Sequence, residues 1–174
     1  LSTDTEGNFY FVKGGNLRVA TVPHHGCLVR VSKDGAKLEI VATGHRAPNG
    51  MSVGPKGELT TSDNEGNWVP TSRVNYVKPG GFYGHVHTAH RKEPPNDYDK
   101  PLLWLPHQVD NSSGGQVWVN SNRWGPFSGD LLHLSYGKGT LFKVMKEEVE
   151  GQWQGAAVRF PLRFDSGVMR GRFN

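Results

Sequence analysis

The sequence predicts an all-β protein built from about three four-stranded antiparallel units of a β-propeller, and three observations support this. Helix signals are nearly missing: the one stretch of helical composition, 143–150, contains Val144, Met145 and Val149, which suit a strand equally well. Short apolar or alternating runs are separated by turn residues drawn from 23 Gly and 11 Pro. A glycine, a polar residue and an alternating strand also recur along the chain.

The candidate strands follow one another closely in the chain. Within the hairpin 27–42, Lys33-Asp34-Gly35 supplies a turn with a glycine that can adopt positive φ. In order, the predicted strands are NFYFV (8–12), CLVRVS (27–32), KLEIVA (37–42), ELTTSD (58–63), RVNYV (73–77), QVWVNS (116–121), DLLHLSY (130–136), TLFKVM (140–145) and AAVRFPL (156–162).

The repeated segments begin near Gly7, Gly57 and Gly115, and so are spaced by 50 and 58 residues. A four-stranded unit recurring every 40–60 residues is typical of a propeller blade, whereas strands of the alternative, a β-sandwich, would not recur in sets of four. We expect blades at about 1–52, 53–110 and 111–174. The proline-containing stretch 83–108 shows no strand pattern and predicts a long inserted loop.

Closure of the ring is a separate question, because propellers usually have four to eight blades. About three fit into 174 residues, so the pattern predicts a piece of a larger propeller. Unpaired strand edges promote aggregation, and we expect another chain or a second copy to cover them.

Composition argues against several classes of protein. The net charge of +4 comes from Lys and Arg residues that are scattered, so no basic stripe indicates a nucleic-acid partner. No run approaches the roughly 18 apolar residues of a membrane span. Cys27 is the one cysteine, which excludes an internal disulfide and a cysteine-rich metal site.

Two sets of side chains are candidates for ligand binding on chemical grounds alone. His85, His87 and His90 form a local cluster whose imidazoles suit zinc or copper, although histidines in such a loop are usually ordinary polar residues. Trp68 and Trp124 follow strands and offer aromatic faces on which a sugar substrate could stack.

Three segments carry a resemblance to a known family: GHRAPNGMSVGPKGEL (44–59), SDNEGN (62–67) and VNYVKPGGFYG (74–84). They resemble the quinoprotein sugar dehydrogenases, which include soluble pyrroloquinoline-quinone glucose dehydrogenase and its sorbosone-dehydrogenase relatives. The resemblance implies an exported bacterial propeller, periplasmic or secreted. In the intact protein it implies hydride transfer from a sugar or alcohol to pyrroloquinoline quinone, with calcium as a second cofactor.

The resemblance also assigns residues. It implies that Arg46 contacts the quinone and that the turn containing Asn64, Glu65 and Gly66 supplies calcium ligands. The C-terminal FDSGVMRGRFN resembles the strand where the family places an Arg-x-Arg pair, which implies that Arg170 and Arg172 contact the cofactor. The family's general-base histidine is expected upstream of Leu1, so no catalytic residue is assigned within these 174 residues.

The physical chemistry fits these assignments and also permits simpler ones. An arginine fork pairs with carboxylates, and residues two apart share a strand face. Alternatively, Arg46 pairs with a local carboxylate, Arg170 and Arg172 belong to a solvated strand face, and 63–67 is an ordinary turn. The rival function is a non-catalytic propeller that acts as a binding or assembly module. We expect the isolated chain to be inactive.

Overall fold

A computed structural model describes residues 1–15, 22–93 and 95–173, and in these residues twelve strands form three four-stranded antiparallel sheets. Two short 3₁₀ helices, Val86–Thr88 and Asn122–Phe127, lie between strands. The strands are β1 Ser2–Thr3, β2 Phe9–Val12, β3 Leu28–Val31, β4 Leu38–Ala42, β5 Gly50–Val53, β6 Leu59–Asp63, β7 Ser72–Tyr76, β8 Leu103–Leu105, β9 Ser113–Trp118, β10 Leu131–Ser135, β11 Thr140–Val149 and β12 Gln152–Arg159.

Each sheet pairs its four strands in chain order, β1 to β4, β5 to β8 and β9 to β12. The first strands of the sheets are neighbours, because β1 contacts β5 and β5 contacts β9. Sheets of consecutive strands that meet along their first strands are propeller blades. The prediction of an all-β fold with three such blades is confirmed.

The first and second sheets pack through one face of each. Alternation along the strands places Tyr10 and Leu28 of the first sheet on the same side, where they meet Leu59, Val77 and Tyr83. All five are at least nine-tenths buried, so this contact excludes water.

The opposite face of the second sheet packs on the third. Val74 and Leu103, which are direct neighbours across β7 and β8, contact a row made by Trp118, Leu131 and Val144. At the rim, the rings of Tyr76 and Trp153 stack with their centroids 4.6 Å apart. The second sheet is therefore covered on both faces, and the other two each turn one face away from it.

The predicted start of the third repeated segment, Gly115, is wrong. Gly7 and Gly57 occupy equivalent turns before the second strand of their sheets, with φ of 90° and 83°. Gly115 instead lies within β9, a first strand, and the equivalent turn glycine is Gly129, with φ of 84°. The connection between β9 and β10 contains the 3₁₀ helix Asn122–Phe127, which shifts the spacing and conceals the repeat.

The segment 83–108 contains a strand that the sequence pattern does not predict. β8, of sequence LWL, is the fourth strand of the second sheet and pairs with β7. Segment 143–150, ambiguous in sequence, lies mostly within β11 and is a strand up to Val149.

No helix in the described residues has both the length and the apolar character needed to cross a membrane.

Candidate functional site

The loop between β4 and β5 carries Arg46 and is shaped by Gly44. Gly44 has φ of 83°, and a Cβ there would lie 2.5 Å from the Phe82 ring and 2.6 Å from the Tyr83 nitrogen. Its N–H donates to the Thr88 carbonyl and its carbonyl accepts from the His85 N–H. Only glycine allows the loop to lie this close to residues 82–88.

Asp63, at the end of β6, fixes the backbone of that loop. Its Oδ2 accepts the Arg46 N–H at 2.8 Å, and its Oδ1 accepts the Ala47 and Asn64 N–H groups, each at 2.8 Å. The carboxylate is fully buried. It therefore holds the backbone of Arg46 beside the turn 63–67.

Arg73 is the charged partner of Asp63 and lies directly opposite it on β7. Its Nη2 donates to Asp63 Oδ2 at 3.0 Å and to the Tyr83 carbonyl at 2.7 Å, and its Nη1 donates to the Asn64 carbonyl at 3.1 Å. Burial lowers the pKa of Arg73 while Asp63 opposes the shift, and a guanidinium stays protonated throughout. A buried ion pair of this kind is costly to break from one side.

His45, which precedes Arg46 in the same loop, holds the loop in place as a neutral imidazole. Burial lowers the pKa of His45 to about 4. A carbonyl only accepts, so Nδ1 carries the proton and donates to the Gly26 carbonyl at 3.2 Å. Nε2 then accepts from the Thr61 hydroxyl at 3.1 Å, and Thr61 in turn accepts from Asn75 Nδ2 at 3.0 Å. This chain of bonds fixes the tautomer and ties the first sheet to the second.

The side chain of Arg46 has a local acidic partner. Its Nη1 lies 3.3 Å from Glu65 Oε1, and the other oxygen of Glu65 lies 3.4 Å from His107 Nε2. The Arg46 side chain is 26% exposed and that of Glu65 44%, so water weakens the pair. This contact is the one expected if Arg46 has a structural role, and a ligand carboxylate would compete with Glu65 for the same guanidinium.

Several oxygens of the turn predicted to bind calcium already have partners within the protein. The Asn64 carbonyl accepts from Arg73, and Glu65 faces Arg46 and His107. The Gly66 carbonyl accepts from the Val69 N–H at 3.4 Å. The residues present therefore do not form an open set of oxygen ligands of the kind calcium takes.

The three loop histidines do not converge on one point. The rings of His85 and His87 are 5.5 Å apart and tilted by 67°, whereas His90 turns away and its Nε2 lies 2.6 Å from the His25 carbonyl. Within the described residues, no group of three or more His, Cys, Asp or Glu side chains is placed to hold a metal ion. The transition-metal alternative therefore has no geometric support.

A cavity of about 370 Å³ lies where the first strands of the three sheets meet, and we call it the axial cavity. Arg170 and Arg172 form part of its wall, next to Pro48 and Asn49 from the Arg46 loop. The C-terminal segment is fixed there because the Gly115 N–H donates to the Met169 carbonyl at 2.7 Å. The structure thus brings two of the three predicted arginines to one cavity, while the guanidinium of Arg46 faces Glu65.

The two candidate tryptophans are at different places. Trp124 is 40% exposed, packs edge-on against Phe173 at 5.0 Å, and lines a second cavity of about 410 Å³ that also includes Arg170 and Arg172. Trp68 is 36% exposed and packs against Phe82 and Tyr98. Of the two, Trp124 is the one that shares a cavity with the arginine pair.

A buried polar network in the third sheet has no counterpart in the sequence-based expectations. His133 Nε2 lies 2.7 Å from Asp110 Oδ2, and the hydroxyls of Ser113 and Ser135 donate to the same carboxylate at 2.8 and 2.7 Å. His133 and Asp110 are fully buried, so they have no access to a substrate. The one sequence signal is a histidine inside the apolar run DLLHLSY; nothing in the sequence identifies Asp110 as its partner.

Comparison with known proteins places the fold among sugar dehydrogenases. No protein-family model and no curated protein matches the sequence. The structure superposes on an oxidoreductase assigned as a glucose dehydrogenase from Thermus thermophilus, with a TM-score of 0.65, 24% identity, and coverage of 95% of this chain and 52% of that one. It also matches the soluble aldose sugar dehydrogenase of Escherichia coli, with a TM-score of 0.61, 15% identity, and coverage of 90% and 52%.

A third similar structure is the form of aldose sugar dehydrogenase from Streptomyces coelicolor that contains bound pyrroloquinoline quinone. It matches with a TM-score of 0.56 and 17% identity, over 78% of this chain and 39% of that one. The chain therefore shares the β-propeller fold of these structures and spans about half the length of the first ones it matches.

Proposed function

We propose that this chain is part of a quinoprotein dehydrogenase-like propeller that, when intact, oxidises a sugar or alcohol with pyrroloquinoline quinone as the acceptor. The observation that carries the proposal is the axial cavity, whose wall includes both Arg170 and Arg172. The sugar dehydrogenases with the same fold, one of them with the quinone bound, support the choice of ligand.

The axial cavity suits a small anionic molecule. Its volume of about 370 Å³ falls in the range usual for small-ligand sites. The quinone carries three carboxylates, and guanidinium groups bind carboxylates through two parallel hydrogen bonds. When bound, the quinone supplies the acceptor for a hydride from the substrate carbon. The residues of this chain bind and orient it, while Met51 and Val117 form apolar parts of the wall.

Arg46 and Trp124 have secondary roles in this proposal. For Arg46 to reach a cofactor carboxylate, its guanidinium has to exchange Glu65 for the ligand, so Arg46 contributes less than the axial pair. Trp124 is the better of the two candidates for stacking on a sugar, because it shares a cavity with Arg170 and Arg172. Calcium at Asn64, Glu65 and Gly66 is not part of the proposal, because the Asn64 and Gly66 carbonyls and the Glu65 carboxylate already have partners within the protein. We retain an exported location, periplasmic or secreted, as a prediction.

Quinone binding by the 174-residue chain tests the proposal. Titration calorimetry with pyrroloquinoline quinone compares wild type, the double variant Arg170→Gln/Arg172→Gln, and the control Arg163→Gln, whose side chain is exposed outside the cavity. We expect weak binding that the double variant reduces at least tenfold, because each hydrogen bond to a charged group contributes roughly 1.5–3 kcal/mol. Equal binding by the double variant and wild type, or no binding by wild type, would count against the cavity.

The rival function, a non-catalytic binding or assembly module, rests on the outward faces of the outer sheets. Phe9, Leu38 and Ile40 are exposed on the first sheet, and Met145 and Val158 on the third. Such faces suit a covering partner, either another chain or a second copy. Light scattering tests whether these faces need a covering partner. A chain that stays a stable monomer at high concentration would contradict that need.

A further inference from the structure

The oxygen atoms around Arg73 resemble those around a bound metal ion. One carboxylate oxygen of Asp63 and the carbonyl oxygens of Asn64 and Tyr83 converge on its guanidinium at 2.7–3.1 Å. They come from the end of β6, the following turn and the loop after β7. Carboxylate and carbonyl oxygens from a turn are the ligands that calcium prefers, and here they surround a side chain that is 1% exposed.

We propose that the guanidinium of Arg73 is the resident cation of the turn 63–67 and that this turn binds no divalent metal ion. The inference concerns the cation of the proposed cofactor site, so its catalytic relevance rests on the proposed function. Its structural basis is independent of that function.

The hydrogen-bonding capacity of Asp63 supports the proposal. A carboxylate offers about four lone-pair positions. Asp63 Oδ1 accepts two backbone N–H groups, and Oδ2 accepts the Arg46 N–H and the Arg73 guanidinium. A metal ion could be ligated by Asp63 only if one of these four donors left.

The charge balance leads to the same conclusion. Two carboxylates, Asp63 and Glu65, face two guanidinium groups, Arg73 and Arg46, and these four charges sum to zero. A divalent cation would add two positive charges beside a buried arginine, with neither carboxylate left to offset them. Repulsion at such short distances is poorly screened in a buried site.

The consequence is that Arg73 also positions Arg46. It holds Asp63, and Asp63 holds the Arg46 and Ala47 backbone N–H groups. The direction of the Arg46 loop therefore depends on a guanidinium built into β7, where a calcium-dependent protein would rely on a soluble ion.

Thermal unfolding with calcium, magnesium or a chelator tests the inference directly on the wild-type chain. A calcium site filled to about 100 times its Kd would raise Tm by roughly 5–10 °C. We expect calcium and magnesium to give the same Tm as the chelator. A rise in Tm specific to calcium overturns the inference, and it does so whether or not the chain binds the quinone.

A variant adds a second, independent readout. Arg73→Ala should lower Tm, and millimolar ethylguanidinium should recover part of the loss by occupying the vacated position. The matched control is Arg30→Ala, which removes a partly exposed arginine paired with Glu39 and which ethylguanidinium should not rescue. An Arg73→Ala protein that melts at the wild-type temperature refutes the proposal. If Arg73→Ala does not fold, the wild-type calcium measurement alone decides.

Discussion

Replacing Asp63 by Asn should destabilise the protein more than the corresponding replacement of any other acidic side chain at the site by its amide. The substitution keeps the size of the side chain but removes its charge, so Arg73 is left buried without a counter-ion. Removing one partner of a buried pair costs about 3–5 kcal/mol. The new amide also places its own N–H groups against backbone N–H groups that now donate to the Asp63 carboxylate.

Urea and thermal unfolding measure this loss. For a chain of this length, we expect Tm to fall by roughly 6–20 °C, since each kcal/mol corresponds to about 2–4 °C. Asp97→Asn is the control, because its carboxylate is exposed and its contact with Lys100 spans 3.8 Å. That change should stay within about 0.5 kcal/mol. A loss for Asp63→Asn no larger than for Asp97→Asn would refute the claim that this ion pair holds the site together.

Two further predictions concern the same loop. Because the pKa of His45 is about 4 when folded and near 6.5 when unfolded, the unfolded state binds more protons between these values, and stability should fall by about 2 kcal/mol from pH 7.5 to pH 5. His45→Gln should flatten that part of the profile in urea unfolding, and an unchanged slope would contradict the assignment. Gly44→Ala should cost more than Gly35→Ala, because both have positive φ but only Gly44 would meet Phe82 and Tyr83, whereas nothing lies within 4 Å of a Cβ at Gly35. Equal losses of stability in the two alanine variants would argue against the close contact.

Period-two patterning predicts much of the fold because the two outer sheets each leave one face uncovered, so that more and less exposed residues alternate along strands such as β4 and β12. It finds β2, β3, β4, β6, β7 and the strands of the third sheet. It misses β1 and β8, which have two and three residues and are too short to show alternation. It also misses β5, whose sequence GMSV begins with a glycine and is followed by another, so that it looks like part of a loop. The glycine of the third turn is hidden because the connection before Gly129 is longer than its counterparts.

The candidate site, like the fold, can be predicted only in part from the sequence. Proximity of Arg46 to the turn 63–67 follows from sequence motifs that resemble a known family, and the structure places them together. The roles of Arg73, Glu65 and His107 do not follow, because they depend on the pairing of β6 with β7 and on the path of the chain after β8. The Asp110–His133 pair likewise depends on the pairing of β9 with β10 and on the turn that precedes β9, neither of which a single sequence displays.

The glycines along the first strands determine how a small substitution would spread through the molecule. A Cβ at Gly50 would collide with the Gly114 carbonyl, and one at Gly114 would lie 2.6 Å from the Val168 carbonyl. The backbones of Gly50, Gly114 and Val168 are therefore in direct contact, and we call this contact region the hub. The Ser62 hydroxyl donates across it to the Gly114 carbonyl. Each sheet extends outward from the hub by three strand spacings, or roughly 14 Å. A single methyl group added at the hub would therefore rotate a whole sheet. Because the outer strand lies farthest from the hub, it would be displaced much more than the hub itself.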